Sequence, residues 1–379
     1  MDSEQAFRMV SELLGALVSR KGSDLFLTAG FPPAMKVDGK VTPVSQQKLT
    51  PEHTRQLARS LMNERQLVEF ERHFECNFAI VIPDAGRFRV SAFIQQGRVG
   101  LVMRTITTRI PTLEELGLPS VMKEVAMSKR GLVLLVGGAG SGKSTSLAAL
   151  IGHRNRHSHG HIITIEDPIE FVHEHANCIV TQREVGVDTE SWFAALRNTL
   201  RQAPDVILIG EIRDRETMEY GIAFAETGHL CFATLHANST NQALDRIINF
   251  FPEDRRQQLL MDLSLNLRGI LSQRLLGRKG APGRVAAMEV MLNSPLMSAL
   301  IFKGEVHEMK ALIGRSRELG MQTFDQALFD LLEADLITYE DALRNADSVN
   351  DLRLRIKLES KTARGRELGA SLDHLEILK

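Results

Sequence analysis

The hydrophobic and polar positions of this chain change their period near residue 110. Before that point the patterns are short. Phe7, Val10, Leu14 and Leu17 recur at helical spacing and predict the buried face of an opening helix. Leu25–Thr28 reads as a strand, and residues 35–41 alternate around Asp38-Gly39, a strong hairpin signal. Thr50-Pro51-Glu52 supplies an N-cap, a proline at the first helical position and an early acid, so a second helix is predicted there. Strand-like runs follow near residues 74–82, 88–95 and 99–106. These elements predict a small α+β domain over residues 1–106, then a polar linker over 107–114. After the polar stretch that ends at Pro111, Thr112-Leu113-Glu114-Glu115 has the form of a capping box that opens a second domain.

From residue 115 apolar runs alternate with helical stretches, as in a parallel α/β sheet. Predicted strands are Leu132–Val136, Ile162–Ile165, Val206–Ile209 and Leu230–Thr234. Beyond Asn238 the pattern reads as helical, broken at Pro282 and Pro295, with a last helical block from Thr323 to about Lys357. The second domain is therefore expected over 115–357. Residues 358–379 mix charges and small residues and offer little apolar surface for docking.

The segment after the first of these strands changes the picture. Residues 137–145 read Gly137-Gly138-Ala139-Gly140-Ser141-Gly142-Lys143-Ser144-Thr145 and fit the phosphate-loop pattern. A buried strand, a glycine loop and a helix N-terminus form an anion site, because successive N–H groups and the helix dipole point at one place. Lys143 can neutralise phosphate charge and the Ser144 hydroxyl can ligate Mg²⁺. The pattern implies a nucleoside triphosphate.

Phosphoryl transfer also needs acids and positive charge. Glu211 closes the strand at Val206–Ile209, where an acid beside the phosphate loop can hold Mg²⁺ through water. Glu166, Asp167 and Glu170 crowd a second strand end and would repel one another unless a cation or ordered water lies among them. Positive charge comes from Arg87, Arg89, Arg98, Arg104 and Arg109, in a stretch with no lysine and one acid, Asp84. Strand parity puts Arg87 and Arg89 on one face and Arg98 and Arg104 on one face. Arginine without lysine favours fork-like recognition of phosphate. A nucleic-acid platform wants more aromatics than Phe93, the one with matching parity.

Composition narrows the setting. With 46 basic and 47 acidic residues the formal charge is -1, which argues against bulk attraction to nucleic acid or acidic lipid. Cys76, Cys178 and Cys231 form no C-x-x-C pair and suit reduced thiols. The N-terminus lacks the regions of a signal peptide, and no apolar stretch reaches membrane-spanning length. The expectation is a soluble, cytoplasmic protein that meets membranes through a partner.

Residues 200–214, Leu200-Arg201-Gln202-Ala203-Pro204-Asp205-Val206-Ile207-Leu208-Ile209-Gly210-Glu211-Ile212-Arg213-Asp214, resemble the signature segment of the secretion and type IV pilus motor ATPases. Residues 165–170 resemble the family's aspartate box, and residues 227–236 its histidine box, with His229 and His236. The resemblance covers about residues 1–350. It implies a PAS-like N-terminal domain, a RecA-like P-loop motor domain and a helical C-terminal region. Within the family the likeness is to the PilT/PilU retraction branch, since the paired C-x-x-C motifs of the extension and type II secretion ATPases are absent. Three features lean to the PilU side. Phe26 stands in Gly22-Ser23-Asp24-Leu25-Phe26 where PilT-like chains have His. Ser298 replaces the arginine of a PilT motif in Leu296-Met297-Ser298-Ala299-Leu300-Ile301. An extension runs through Ala342–Asp347.

The resemblance assigns Lys143 and Ser144 to phosphate and Mg²⁺, and Glu211 to the metal. Glu170 matches the residue that polarises water, with Glu166 and Asp167 supporting. Arg89 and Arg104 match arginines that reach nucleotide held between subunits. His229 and His236 match positions that sense the γ-phosphate or couple it to motion; a structural histidine is the plainer alternative for each. Arg213 fits either a salt bridge or an intersubunit contact. The resemblance further implies a homo-hexamer acting with a PilT-like retraction ATPase on an inner-membrane pilus platform protein, with no nucleic-acid partner. A nucleic-acid translocase, and a nucleotide-gated structural partner with little turnover, share the loop and stay open.

Overall fold

Asp38 and Gly39 both take positive φ, 50° and 79°, and close a two-residue hairpin as the sequence predicts. The computed structural model describes residues 2–106 and 109–360. The chain divides into two units: residues up to Arg109 with Glu170–Val172, and Ile110–Ile169 with His173 onward.

In the first unit the order is α1 (Ser3–Ser19), β1 (Asp24–Thr28), β2 (Ala34–Val37), β3 (Lys40–Pro43), α2 (Pro51–Leu61), α3 (Glu64–His73), β4 (Glu75–Ile82), β5 (Gly86–Gln95) and β6 (Arg98–Ile106). The strands form one antiparallel sheet in the order β3-β2-β1-β6-β5-β4. Thr50 caps α2 by accepting from the His53 N–H, with Pro51 at its start. On α1 the buried face is Ala6, Val10, Leu14 and Leu17, while Phe7 is 41% exposed. The expectation for Phe7 is thus corrected. Ala6 sits one turn before Val10 and shares its face, and the larger side chain beside it turns outward. Leu25, Leu27, Phe78, Phe88, Val90, Leu101 and Met103 join these helical residues in one core.

Alternation then assigns the other face of this sheet. Arg89 lies opposite Arg104, Phe93 opposite Gly100, and Arg104 opposite Asp24 across the next ladder. Arg87, Arg89, Arg104 and Asp24 therefore share the face away from the core.

The second unit continues with α4 (Val121–Ala126), β7 (Gly131–Val136), α5 (Lys143–His157), β8 (Gly160–Glu166), β9 (Cys178–Glu184), α6 (Trp192–Thr199), β10 (Val206–Ile209), α7 (Arg215–Glu226), β11 (Leu230–Leu235), α8 (Thr240–Phe250) and α9 (Glu253–Asn266). It closes with β12 (Leu267–Gly277), β13 (Arg284–Leu292), α10 (Pro295–Lys303), α11 (Val306–Arg315), α12 (Phe324–Glu333), α13 (Tyr339–Asn345) and α14 (Val349–Glu359). The Thr112–Glu115 capping-box bonds form, at 2.9 and 3.2 Å, but they close a turn, and the first helix of this unit starts at Val121. Seven strands make one sheet in the order β13-β12-β7-β11-β10-β8-β9, parallel except for the β12/β13 pair.

β12 and β13 overturn the expectation of helices throughout the region beyond Asn238. Pro282 lies in the loop of this hairpin, and Pro295 starts α10. β12 is buried along most of its length because β7 and β13 flank it and side chains cover both faces. Such a strand shows no alternation to read. The last helix reaches Glu359, so residues 358–359 of the expected tail are helical, and residues 361–379 lie outside the described residues. No described helix is long and apolar enough to cross a membrane.

Candidate nucleotide site

Strand register builds the site in the second unit. Val136, the last residue of β7, pairs with Leu235 of β11 and Ser272 of β12. The next residues, Gly137, His236 and Gln273, therefore come level at the carboxyl edge of the sheet. One strand further, Ile209 pairs with Ala233 and with Ile165, which brings Glu211 and Glu166 to the same edge. Ligands of open parallel sheets bind at this edge.

The loop is shaped by close approach. Gly137, Gly140 and Gly142 have φ of 159°, 72° and 87°. A Cβ on Gly137 would meet Ser141 Oγ at 2.4 Å and the Gln273 carbonyl at 2.7 Å, and one on Gly142 would meet Gln273 Nε2 at 2.7 Å. Lys143, Ser144 and Thr145 form the first turn of α5, so the helix N-terminus faces the loop. Buried Lys143 donates from Nζ to the Gly137 and Gly138 carbonyls, both at 2.9 Å.

Beside it the Glu211 carboxylate is held from two sides. Arg213 Nε donates to Oε2 at 2.9 Å, and His236 Nε2 lies 3.2 Å from Oε1. Arg213 is also 3.9 Å from Asp167, so within the chain it forms salt bridges to two acids. Glu166 Oε1 accepts from the Thr164 hydroxyl at 2.6 Å and from Gln182 Nε2 at 3.2 Å. Glu170 is exposed.

The two histidines separate. His236 follows β11 at the loop edge. His229 precedes the same strand, roughly 20 Å away along it, with Nδ1 3.0 Å from the Thr227 hydroxyl. Within one chain the structure does not bring His229 to its own phosphate loop. Arg89 and Arg104 belong to the first unit, where Arg104 Nε donates to Asp24 Oδ1 at 2.8 Å. Burial alone would raise the Asp24 pKa, but the Ser23 hydroxyl and Arg104 outweigh it and hold the carboxyl below its usual range.

Sequence reasoning missed the residues behind the loop. Buried Gln273 accepts from the Ser146 hydroxyl of α5 at 2.7 Å. Buried Glu289 of β13 accepts from the Thr240 N–H at the start of α8 at 2.7 Å. Burial pushes its pKa up, against the pull of that hydrogen bond. Gln273 and Glu289 each interrupt the apolar run of their strand, so no periodicity marks them in the sequence.

A glycine loop at a parallel-sheet edge, with lysine, acid and histidine converging on it, defines a P-loop nucleotide hydrolase. Residues 2–329 match the family model described as type II/IV secretion system protein. The chain is 62% identical to the type IV pilus ATPase PilU of Pseudomonas aeruginosa, over 97% of this chain and 94% of that protein. It is 43% identical to the type IV pilus retraction ATPase PilT of the same organism, over 89% and 98%. The crystal structure of the pilus retraction motor PilT with bound ADP superposes with a TM-score of 0.85 at 40% identity, covering 90% of this chain and 98% of that one. The chain belongs to the type II/IV secretion ATPase family, within its PilT/PilU group. It is an ATPase of that α/β fold.

Proposed function

We propose that this chain is an ATP-hydrolysing motor of type IV pilus retraction and twitching motility, working as an accessory to a PilT-like ATPase. The observation that carries the reading is the meeting of Lys143, Glu211 and His236 around one glycine loop. We take the second unit as a RecA-like motor domain and the first as PAS-like, with a homo-hexamer as the working assembly. A position at the cytoplasmic side of the inner membrane, against the pilus platform protein, follows from the same reading, and so does the absence of a nucleic-acid partner.

ATP is bound by the N–H groups of residues 137–145. Lys143 exchanges the Gly137 and Gly138 carbonyls for phosphate oxygens, which accept from an ammonium more strongly. The donor set fits Mg²⁺: Ser144 is a hard oxygen ligand in the first turn of α5, and Glu211 is a carboxylate just past the end of β10, two strands along the same sheet edge. The metal, when bound, neutralises charge on the transferred phosphoryl group. Glu211 supports it and His236 orients that carboxylate. Glu170 is assigned to polarising water, Glu166 to a supporting role, and Arg89 and Arg104 to charge stabilisation. His229 is assigned to coupling and not to phosphate contact, given its place at the far end of β11.

Ser298 supports the accessory role. Where PilT-like chains present an arginine, its hydroxyl donates to the Ser264 carbonyl of α9 at 2.7 Å and presents no cation. The test is phosphate release by purified protein, together with pilus retraction in cells carrying Lys143→Ala, with and without the PilT-like partner. Retraction lost only in a background that has the partner supports the reading. Retraction that is normal in every background overturns it.

A further inference from the structure

Gln273 and Arg274 are consecutive in β12, so their side chains leave opposite faces of the sheet. Gln273 faces the phosphate loop, where it accepts from Ser146 and its Nε2 lies 2.7 Å from where a Cβ on Gly142 would stand. Arg274 faces the C-terminal helices. Its guanidinium carbon lies 3.8 Å from the centroid of the Phe324 ring on α12. One of its nitrogens donates to the Asn345 carbonyl at 2.7 Å; the other reaches Asp347 at 2.8 Å and the Asn238 carbonyl at 3.4 Å.

Asp347 is itself fixed. Its second oxygen accepts from Lys310 of α11 at 2.8 Å, and its N–H donates to Asp325 at 2.8 Å. The Arg274 and Asp347 side chains are only 26% and 17% exposed. A planar fork can stack on a ring and serve three acceptors together, which a lysine cannot do. Asn238 stands two residues past His236, so the same guanidinium also touches the segment leaving the Glu211–His236 contact.

We propose that Arg274 is a positioning residue for nucleotide binding, clamping β12 to the C-terminal helices so that Gln273 holds the phosphate loop in its binding shape. The extension through Ala342–Asp347 thereby gains a role at the site without touching nucleotide. This inference rests on the assignment of the loop to ATP. Arg355 supplies a matched control, because it stacks at 4.8 Å on Phe329 and pairs with Glu359 at 2.9 Å in the same helical region, with no bond to β12.

The experiment titrates the purified full chain with a fluorescent ATP analogue and records thermal melting without nucleotide. Arg274→Gln is expected to weaken binding by about fivefold or more, the size of a coupling carried through packed side chains. Arg274→Lys should fall between it and the unmodified chain. Gln273→Ala should weaken binding similarly, and the double variant should bind no worse than the weaker single one. Arg355→Gln should lower the melting temperature and leave binding unchanged. Binding by Arg274→Gln equal to that of the unmodified chain overturns the proposal, as does an equal loss in Arg355→Gln. If Arg274→Gln does not fold, Arg274→Lys and Asp347→Asn carry the same comparison. Failure of the unmodified chain to bind the analogue overturns the nucleotide assignment itself, which separates the two outcomes.

Discussion

His236 Nε2 lies 3.2 Å from a Glu211 carboxylate oxygen across the ends of two adjacent parallel strands. The contact depends on register, since Ile209 pairs with Ala233 and each strand then runs on to its functional residue. Arg213 holds the other oxygen, so the direction of the carboxylate is fixed from both sides. Outer groups that orient a metal-supporting carboxylate are worth about 10–100-fold in activity. Glu211→Gln should lower ATP turnover by about that factor and His236→Ala by about tenfold, with nucleotide affinity largely kept in both. Steady-state phosphate release and analogue binding, measured on the same preparations, check this.

Two glycines of the loop should differ sharply in tolerance. Gly142 has φ of 87°, and a Cβ there would lie 2.7 Å from Gln273 Nε2 and 3.1 Å from Leu275 Cδ1. Gly138 has ordinary φ, with Asn238 Oδ1 the nearest atom to an added Cβ at 3.8 Å. Gly142→Ala should cost about 1–2 kcal/mol of stability from the left-handed backbone and abolish ATP binding. Gly138→Ala should bind as the unmodified chain does. Chemical denaturation and analogue titration of the two variants decide the matter.

Lys143 ends the glycine run of the loop, and its ammonium donates to the Gly137 and Gly138 carbonyls. Ligand that binds only the folded chain stabilises it by about 2.7 kcal/mol at a hundred times its dissociation constant. ADP should therefore raise the melting temperature of the unmodified protein by several degrees, and the rise should vanish in Lys143→Ala. An ADP-induced rise of the same size in the variant contradicts the assignment.

The loop and its acid were legible because both are local patterns: nine residues after an apolar run, and an acid just beyond another. The four strands predicted for the motor region are all present, since each is an apolar run between loops. β12 was hidden because it is covered on both faces and its polar residues, Ser272, Gln273 and Arg274, break the run. Those same residues bond to Ser146, Thr240, Asn345 and Asp347, so the least strand-like stretch ties the sheet to the elements on both of its faces. Phe7 shows the converse limit. Hydrophobicity alone places it on the buried face, but small Ala6 occupies the position that packs. Spacing also could not separate His229 from His236, which differ only in which end of β11 they occupy.

The Asp24–Arg104 pair crosses the β1/β6 ladder, with Asp24 buried and the Arg104 side chain 63% exposed. A charge-assisted bond of this kind contributes about 1.5 kcal/mol, discounted here for the exposed partner to about 1. The Asp24 pKa is depressed in the fold, so this contribution is present above the unfolded value and is lost as pH falls through the folded one. Asp24→Asn should lower stability by about 1 kcal/mol at neutral pH and much less in strong acid. Urea unfolding of both proteins at pH 7 and pH 3 gives the comparison.

His173 should control stability at milder acidity. It is 9% exposed, and burial, with Arg156 adding to it, pushes its pKa down to about 4 from 6.5. The unfolded chain therefore takes up the proton first as the pH falls. Stability contributed by the neutral imidazole is complete above pH 6.5, declines from there to about pH 4, and is flat below. The interval corresponds to at most about 3.5 kcal/mol, at roughly 1.4 kcal/mol per pH unit. His173→Gln keeps a polar side chain of similar reach and removes the titration. Its unfolding free energy should change less than that of the unmodified protein between pH 6.5 and pH 4.5. Identical slopes for the two proteins over that interval would mean that another group binds the proton, and that His173 is not the acid-sensitive residue of this region.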